Sequence, residues 1–500
     1  MFRIFVFIGF LAFSGCQSPN VSSQDSHLEN LDSKIDSLMK VYHTAGVAVA
    51  VVSDEEVLYS KGFGFRDMER QLPVTDETIF GIGSCSKAFT ATLLGILSDQ
   101  GEINFEDPPK NYLTDLKFFN EAMNKEITIR HMLSHGTGLP NMSTESSSVL
   151  FVSDNGNDII PRLEFLSPQS GVGEDFIYNN LIYALAGRLS ESLTKKTWEE
   201  NLKDYIFNPL QMQDSYGSVD ATRAQSNYSK GYGVRRLDTI IVEVIPEHIP
   251  TRDAGGNIHS SVADMSKWMQ VWLNEGRFGD KSLFSKDYFK SAIGYQQLMF
   301  TDSASGDDTF YGFGWMISVL QGHLKVEHSG GISGFSSNVV LLPEDNLGIV
   351  VLSNQNIAGI AYAITNELLE RVLEIEIAPN PNEPYFSTVV EIEDPKSPTV
   401  VDESDPPSHP FEDFQGDYFH PGYGTIEVRL EGETLYAKFP FTKFRLEHTR
   451  GNHFEEYFTE EVSQVVSYFM DFEFAEDANG RIDTLRINFE NPYASFIRVE

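Results

Sequence analysis

The stretch Phe80-Gly81-Ile82-Gly83-Ser84-Cys85-Ser86-Lys87 joins an apolar, strand-like approach to a glycine-containing turn and then to a helix. The helix is predicted over residues 84–100, because Gly101 occupies the position at which helices commonly end. Ser84 and Lys87 are three residues apart, so their side chains share one face of this helix. The pattern therefore places a hydroxyl group within reach of an amine.

This pairing has a chemical interpretation and a structural one. A serine hydroxyl is a weak nucleophile at neutral pH unless a neighbouring group accepts its proton, and a lysine can accept it when burial or another cation lowers the lysine pKa. Backbone N–H groups at the start of the helix favour negative charge that develops nearby. The Ser-x-x-Lys spacing also arises by chance, and an N-cap serine followed by a solvated lysine is the simpler interpretation. The rest of the chain has to distinguish the two.

The composition is that of a globular protein with an acidic surface. Of the 500 residues, 41% are hydrophobic and 22% are charged, which is enough apolar sequence for a core, and the length indicates two domains or one domain with an appendage. Lysine and arginine total 37 against 73 acidic residues, which gives a net charge of −36. Since no basic run is present that could neutralise phosphates, the sequence argues against nucleic acid as a partner, and the charge is attributed to solubility or to saline surroundings.

The N-terminus has the pattern of a lipoprotein signal peptide. Arg3 precedes an apolar run over residues 4–13, which is too short to span a membrane but suits the core of a signal peptide. The end of this run, Phe13-Ser14-Gly15-Cys16, resembles the lipobox of bacterial lipoproteins. The sequence therefore predicts a signal peptide over residues 1–16 and a lipid on Cys16, which would anchor the protein to a membrane of the bacterial cell envelope, facing the periplasm. A plain secretory cleavage is the alternative.

Composition and periodicity divide the remainder of the chain. Residues 17–30 are rich in serine, asparagine and glutamine and are predicted to form a flexible tether. Residues 31–375 mix helical and strand-like periodicity, including a meander of predicted strands over 312–353. Residues 376–410 are rich in proline and acidic residues and are predicted to be a linker. Alternating apolar residues then predict a small β domain over residues 411–500.

Histidine and cysteine residues give weaker signals. His131 and His135 have the spacing of a helical zinc pair, but Met132 stands where metalloprotease motifs carry glutamate, and glycines after His135 would end the helix. No metal site is therefore predicted. The chain has two cysteines, so lipidation of Cys16 excludes an internal disulfide, and Cys85 is interpreted as a small buried residue rather than a reactive thiol.

Three motifs follow one another along the chain: Ser84-x-x-Lys87, Tyr178-x-Asn180 ahead of a predicted helix, and His328-Ser329-Gly330-Gly331 at the end of a predicted strand. In order and context they resemble the motifs of the serine β-lactamase and penicillin-binding protein superfamily, and within it the class C β-lactamase-like branch of esterases, D-aminopeptidases and DD-peptidases. The likeness covers most of residues 35–375. It implies an α+β fold in which helices and a helical subdomain flank an antiparallel sheet. Residues 411–500 resemble the small β-barrel often appended to these hydrolases.

The resemblance implies roles for the catalytic residues. Ser84 would attack the carbonyl carbon of a small-molecule or peptide substrate and form an acyl-enzyme, and Lys87 would help to accept its proton. Tyr178 would act as the shared general base and acid. The backbone N–H groups of Ser84 and Gly331 would form the oxyanion hole, where removal of one donor costs typically about 3–4 kcal/mol. The resemblance implies no cofactor.

The resemblance also implies substrate-binding roles for Asn180, which would contact substrate or Lys87, and for His328 and Gly330 on the third motif. Many penicillin-recognising members carry Lys-Thr-Gly where this chain has His328-Ser329-Gly330. A histidine is mostly neutral at neutral pH and anchors a carboxylate less well than a lysine does. Esterase, amidase and aminopeptidase members carry His-x-Gly, so these activities fit as well as β-lactamase or carboxypeptidase activity.

The predicted function is a serine hydrolase that cleaves an ester, amide or peptide through an acyl-enzyme on Ser84. The alternative is a penicillin-binding or cell-wall-binding lipoprotein that turns over slowly or not at all. A chymotrypsin-like site at Ser329-Gly330-Gly331 is disfavoured, because the preceding residue is His328 rather than aspartate and the chain lacks disulfides. The sequence pattern does not fix the oligomeric state.

Overall fold

The computed structural model describes residues 27–141, 160–234, 241–243, 254–303, 305–356, 359–377, 402, 404–439, 443–457, 470–489 and 493–499. The predicted signal peptide, Cys16 and most of the predicted tether and linker lie outside the described residues. Within the described residues, no helix has both the length and the apolar character needed to cross a membrane.

The helices of the described chain are labelled in order: α1 Leu31–Val41, α2 Ser86–Asp99, α3 Glu121–Glu126, α4 Ile129–Leu133, α5 Asn180–Thr194, α6 Trp198–Leu202, α7 Val219–Arg223, α8 Val262–Leu273, α9 Lys286–Ala292 and α10 Gly359–Leu373. Helix α2 is mostly apolar and is buried on every side from Ser86 to Leu97. A helix of this kind belongs to the interior of a domain rather than to its surface. Helices α3 to α6 pack with it as the helical subdomain.

The strands before the predicted linker are β1 Gly46–Val52, β2 Val57–Asp67, β3 Leu72–Pro73, β4 Phe80–Gly81, β5 Tyr232–Val234, β6 Ile241–Glu243, β7 His259–Ser260, β8 Arg277–Phe278, β9 Lys281–Ser282, β10 Gln297–Thr301, β11 Asp308–Tyr311, β12 Met316–Leu320, β13 His323–Ile332, β14 Phe335–Leu342 and β15 Leu347–Ser353. Nine of them form one antiparallel sheet in the order β10-β11-β12-β13-β14-β15-β1-β2-β3. Strand β1 pairs with β15, so the first and last of these fifteen strands are neighbours in the sheet.

The sheet is covered on both faces. Strands β1, β14 and β15 are buried along their whole length, and β1 and β15 have nearly continuous apolar sequences, as is typical of strands covered on both faces. Val49 and its neighbours on one face pack with α1 and α10, whereas Ala50 on the other face belongs to the larger core that includes α2 and α8. Burial of each large aliphatic side chain stabilises such a core by roughly 1.5–3 kcal/mol. The predicted α+β architecture, a sheet with helices on both sides, is confirmed.

The remaining strands form a closed barrel, which confirms the predicted C-terminal β-barrel: β16 Gly416–His420, β17 Gly424–Glu431, β18 Thr434–Lys438, β19 Lys443–Arg450, β20 His453–Tyr457, β21 Asp471–Glu476, β22 Ile482–Ile487 and β23 Ala494–Val499. Pairing of β16 with β23 closes it. The interior is aromatic, and the ring centroids of Phe414, Tyr418 and Phe454 lie 5.1–5.6 Å from that of Phe474. Such edge-to-face contacts fill the barrel with side chains.

Glu456 carries a carboxyl group into this apolar barrel. It lies on β20 opposite the buried Leu446, and both of its carboxyl oxygens are buried without a hydrogen-bond partner in the described structure. Burial raises the pKa of Glu456 to about 8. The folded protein therefore retains a proton that an unfolded chain, with a glutamate pKa of 4.5, releases.

Glu456→Gln is expected to raise the melting temperature by several degrees at about pH 8 and to leave it nearly unchanged at about pH 4. Because the folded state binds more protons than the unfolded state between these pH values, the wild-type protein loses stability as the pH rises through this window. Thermal melts of both proteins across the pH range measure the effect. Glu455→Gln, at the exposed neighbouring position, is the control. Equal shifts at both pH values would contradict the prediction.

Candidate active site

Ser84 lies in a tight turn between β4 and α2. A 3₁₀ turn spans Gly83–Cys85, and strand β4 pairs with β7 immediately before it. Gly83 has a φ of +50°, and a Cβ atom on it would lie 2.6 Å from the backbone nitrogen of Gly331. Since no larger residue fits such an approach, glycine at this position lets the Ser84 turn lie directly against strand β13.

Lys87 is completely buried one helical turn after Ser84. Its Nζ lies 3.0 Å from Ser84 Oγ, donates to Asn180 Oδ1 at 2.7 Å, and donates to the carbonyl oxygen of Gly255 at 2.9 Å. The predicted contact between the hydroxyl and the amine is therefore present. The interpretation of Lys87 as a solvated surface lysine is wrong.

Tyr178 and Asn180 are brought to Lys87 by the start of helix α5. Asn179 is the N-cap of this helix, and its Oδ1 accepts a hydrogen bond from the backbone N–H of Ile182 at 3.2 Å. Asn180 then occupies the first helical position, and the ring centroid of Tyr178 lies 4.9 Å from Lys87 Nζ. Ser84, Lys87, Tyr178 and Asn180 thus come together, as the motif order predicts, although their catalytic roles stay predictions.

The residues predicted to form an oxyanion hole lie where β13 passes the Ser84 turn. A Cβ on Gly330 would lie 2.0 Å from the carbonyl oxygen of Ile82, whereas a Cβ on Gly331 would meet no described atom within 4 Å. Gly330 is therefore a packing position between β13 and the turn, and Gly331 faces open space beside Ser84. The assignments of an oxyanion hole to Ser84 and Gly331 and of substrate binding to Gly330 stay predictions.

Cys85 links the Ser84 turn to strand β13 by a hydrogen bond. Its thiol donates to the carbonyl oxygen of His328 at 3.1 Å and lies 3.2 Å from Ser337 Oγ. Burial raises the pKa of Cys85 to about 12, so the thiol keeps its proton at neutral pH. This geometry agrees with a packing role, because only the thiolate is a strong nucleophile.

His328 lies on the buried face of β13, with 3% of its surface exposed. Its Nδ1 donates to the carbonyl oxygen of Ser329 at 2.6 Å, and its Nε2 accepts from the hydroxyl of Tyr311 at 2.8 Å. Burial, followed by the charge of Lys87, lowers the pKa of His328 to about 3. The ring is therefore neutral and both nitrogens are engaged, which is a poor arrangement for anchoring a carboxylate. Substrate binding by His328 stays a prediction that no contact supports.

His131 and His135, which have the spacing of a helical zinc pair, do not form a pair in the structure. Helix α4 ends at Leu133 and His135 has a φ of +59°, so His131 and His135 do not occupy successive turns of one helix. The Nδ1 of His131 accepts the backbone N–H of Thr128 in a capping box. Among the described residues, no group of three or more histidine, cysteine and acidic side chains is arranged to hold a metal.

The sequence analysis did not identify Ser86 and Thr90, which fix the segment that carries the Gly255 carbonyl. Ser86 Oγ accepts from the backbone N–H of Ile258 at 3.0 Å, and Thr90 Oγ1 donates to the carbonyl oxygen of Ala254 at 2.6 Å. Both hydroxyls fix the segment that carries Gly255 against helix α2. The available signal was a pair of hydroxyl residues four positions apart on an otherwise apolar helix, because buried polar groups are normally hydrogen-bonded.

The fold and the buried Ser-x-x-Lys pair define a protein of the serine β-lactamase and penicillin-binding protein class. The chain belongs to the β-lactamase family, whose model, described as Beta-lactamase, matches residues 31–369. A second model, described as a domain of unknown function (DUF3471), matches residues 401–496 and so covers the barrel.

Two curated relatives show the range of this family. Protein flp of Staphylococcus aureus (strain MW2) is 27% identical over 335 residues, which are 66% of this chain and 63% of that protein. The chain therefore spans less than two thirds of that relative. The unguisins hydrolase ungD of Aspergillus violaceofuscus is 26% identical over 427 residues, which are 79% of this chain and 75% of that protein.

A solved structure shares the fold over both parts of the chain. The octameric penicillin-binding protein homologue from Pyrococcus abyssi superposes with a TM-score of 0.62 at 23% sequence identity. The match covers 94% of this chain and 99% of that one. At this identity the likeness establishes the fold alone.

Proposed function

We propose that the protein is a serine hydrolase that forms an acyl-enzyme on Ser84 and cleaves an ester, amide or peptide bond. The observation that carries the proposal is the 3.0 Å approach of Lys87 Nζ to Ser84 Oγ inside a buried site. A buried amine beside a hydroxyl at the start of a helix is the arrangement that activates a serine nucleophile.

Two acceptors hold the amine of Lys87 beside Ser84. The side-chain oxygen of Asn180 and the carbonyl oxygen of Gly255 can only accept, so they take two N–H groups of Lys87. When the amine is neutral, its two N–H groups can serve these acceptors, and its lone pair can face the hydroxyl of Ser84, which lies 3.0 Å away. In this state Lys87 accepts the proton of Ser84 as the oxygen attacks.

The reaction follows from this arrangement. Ser84 Oγ bonds to the substrate carbonyl carbon while its proton passes to Lys87, and the N–H groups of Ser84 and Gly331 stabilise the oxyanion. Tyr178 gives its hydroxyl proton to the leaving group as the carbon–leaving-group bond breaks, which leaves an ester on Ser84 and a tyrosinate. Water then attacks that ester and gives a proton to the tyrosinate, and Lys87 returns its proton to Ser84 Oγ as the acyl–oxygen bond breaks and the product acid departs.

A panel of substrates tests the proposal. The purified protein would be incubated with a short-chain p-nitrophenyl ester, a D-amino-acid amide and a penicillin, with product release and intact mass followed together. Turnover of at least one substrate through a transient adduct supports the proposal. A stable penicilloyl adduct without turnover of any substrate would favour the binding-protein alternative and contradict the hydrolase proposal.

Tyr178→Phe is expected to lower kcat by about 10²–10⁴-fold, which is the usual contribution of general acid–base catalysis. The variant keeps the ring that lies beside Lys87 and removes only the hydroxyl, so KM should change little. Steady-state kinetics on the best substrate of the panel measure the effect. Tyr295→Phe, at an exposed tyrosine, is the control. A Tyr178→Phe variant with wild-type kcat would remove Tyr178 from the mechanism.

A lipid anchor on Cys16 and a periplasmic location within the bacterial cell envelope are further proposals. They are supported by the signal-peptide pattern of residues 1–16. The substrate would then be a small molecule or a peptide that reaches this compartment.

A further inference from the structure

His135 has an unusual backbone conformation directly behind the candidate site. Its φ of +59° is uncommon for a residue other than glycine, and its side chain is buried with 1% of its surface exposed. Residues held in sparsely populated conformations persist where the surrounding structure fixes them, and they are concentrated at functional sites. The contacts of His135 therefore need an explanation.

His135 holds the backbone on both sides of Tyr178. Its carbonyl oxygen accepts the backbone N–H of Ile177 at 3.0 Å, and its Nδ1 accepts the backbone N–H of Asn179 at 3.2 Å. The ring also packs on the ring of Tyr178, with 4.3 Å between centroids. One residue thus fixes the position of Tyr178 through the residue before it, the residue after it, and the ring itself.

The ring of His135 is neutral. Its Nδ1 accepts a hydrogen bond, so the ring proton lies on Nε2, which is buried without a hydrogen-bond partner within the described chain. Burial, followed by the charge of Lys87, keeps the pKa of His135 well below its usual value. The titratable groups that face the ring are those of Lys87, His328, Tyr178, Tyr183 and Tyr311. A buried N–H without a partner costs free energy. The role of the ring therefore lies in its other nitrogen, which accepts the hydrogen bond from Asn179.

We propose that His135 is a positioning residue that holds Tyr178 beside Lys87 through the backbone N–H of Asn179. The inference rests on the proposed function, in which Tyr178 is the general acid and base. His135 itself neither binds a metal nor carries a proton in the reaction. Small displacements of a reacting group lower the rate strongly, so a loosened Tyr178 would reduce kcat more than it changes KM.

Two substitutions separate the side chain from the backbone conformation. Glycine and asparagine both tolerate a positive φ, but only asparagine can place an acceptor near the position of Nδ1. We expect His135→Gly to lower kcat by about 30–100-fold with KM changed by less than about threefold, and His135→Asn to recover kcat to within about fivefold of wild type. The decrease of kcat/KM at low pH, its acid limb, should occur at the same pH in His135→Asn and in wild type, because the His135 ring does not titrate in the reaction.

His131→Asn is the matched control, because it removes another histidine whose Nδ1 accepts a backbone N–H but which does not hold Tyr178. It should leave kcat within about twofold of wild type. The proposal is overturned if His135→Gly keeps wild-type kcat, if His135→Asn is as impaired as His135→Gly, or if the acid limb disappears in His135→Asn. Loss of that limb would make His135 a proton carrier.

Hydrogen exchange gives a readout that does not depend on activity. Mass spectrometry of peptides covering residues 176–183 should show faster exchange in His135→Gly than in wild type, with protection restored in His135→Asn. Equal protection in all three proteins would overturn the positioning role by itself. If wild-type protein hydrolyses nothing but the exchange pattern is as expected, the proposed function fails while the link between His135 and Tyr178 stands.

Discussion

Ser84→Ala is expected to lower kcat by about four orders of magnitude or more on every substrate of the wild-type protein, because no acyl-enzyme can form without the hydroxyl. Removal of this half-buried oxygen leaves no large cavity, so the melting temperature should change by less than about 4 °C. Steady-state kinetics with an ester substrate and a thermal melt measure the two quantities.

Ser98→Ala is the matched control for Ser84→Ala, since Ser98 lies in the last turn of helix α2, at the opposite end from Ser84. Its kcat should stay within about twofold of wild type. A Ser84→Ala variant that keeps more than about 1% of wild-type kcat, with contaminating enzymes excluded by the control, would show that another residue is the nucleophile.

Lys87→Met is expected to lower kcat by about three orders of magnitude or more, because it removes the amine that accepts the proton of Ser84. Methionine has the same unbranched shape as lysine and can occupy the buried space without a charge. Circular dichroism and a thermal melt confirm that the variant is folded, and single-turnover kinetics report the acylation step directly.

Lys203→Met is the control for Lys87→Met, because Lys203 is exposed at the surface. Its kcat should stay within about twofold of wild type. If Lys87→Met folds and keeps more than about a tenth of wild-type kcat, a group other than Lys87 activates the serine.

Helical periodicity predicts the contact between Ser84 and Lys87 because it depends only on local geometry. Residues three apart on a helix face the same way, and the structure places the two groups 3.0 Å apart. The same argument could not supply the carbonyl oxygen of Gly255, which comes from a segment 168 positions along the chain. Contacts between distant segments depend on packing that a local pattern does not contain.

The alternation of strand β13 contains information about His328 that the motif comparison did not use. Val326, His328 and Gly330 are the buried positions of this strand, because successive side chains point to opposite faces. That alternation places the His328 ring inside the protein, where Tyr311 and the carbonyl of Ser329 occupy its nitrogens. A motif fixes the order of residues but not the face on which each side chain lies.

The predicted meander of strands over residues 312–353 begins too early. Strand β12 begins at Met316, and residues 312–315 form a turn in which Gly314 has a φ of +77°. A Cβ on Gly314 would lie 2.7 Å from the backbone nitrogen of Ala88, so the turn packs directly on helix α2. The glycine that marks this break was visible in the sequence, but the helix it packs against was not predictable from that segment.

The barrel shows a similar limit. Alternating apolar residues predict individual strands of the barrel. Closure depends on the pairing of the first strand, β16, with the last, β23, as in Phe419 with Ile497. This pairing links residues 78 positions apart, which no local pattern specifies. The same holds for Glu456, because its burial follows from closure of the barrel around it.

The central claim is that an acyl group is transferred to Ser84 during turnover. The most direct measurement is rapid acid quenching of the protein with a slowly hydrolysed ester, followed by digestion and mass spectrometry of the peptide that contains Ser84. We expect this peptide to gain the mass of the acyl group in wild-type protein, to accumulate it in Tyr178→Phe if deacylation is the slower step, and to remain unmodified in Ser84→Ala. Turnover without an adduct, or an adduct on another residue, would contradict the claim.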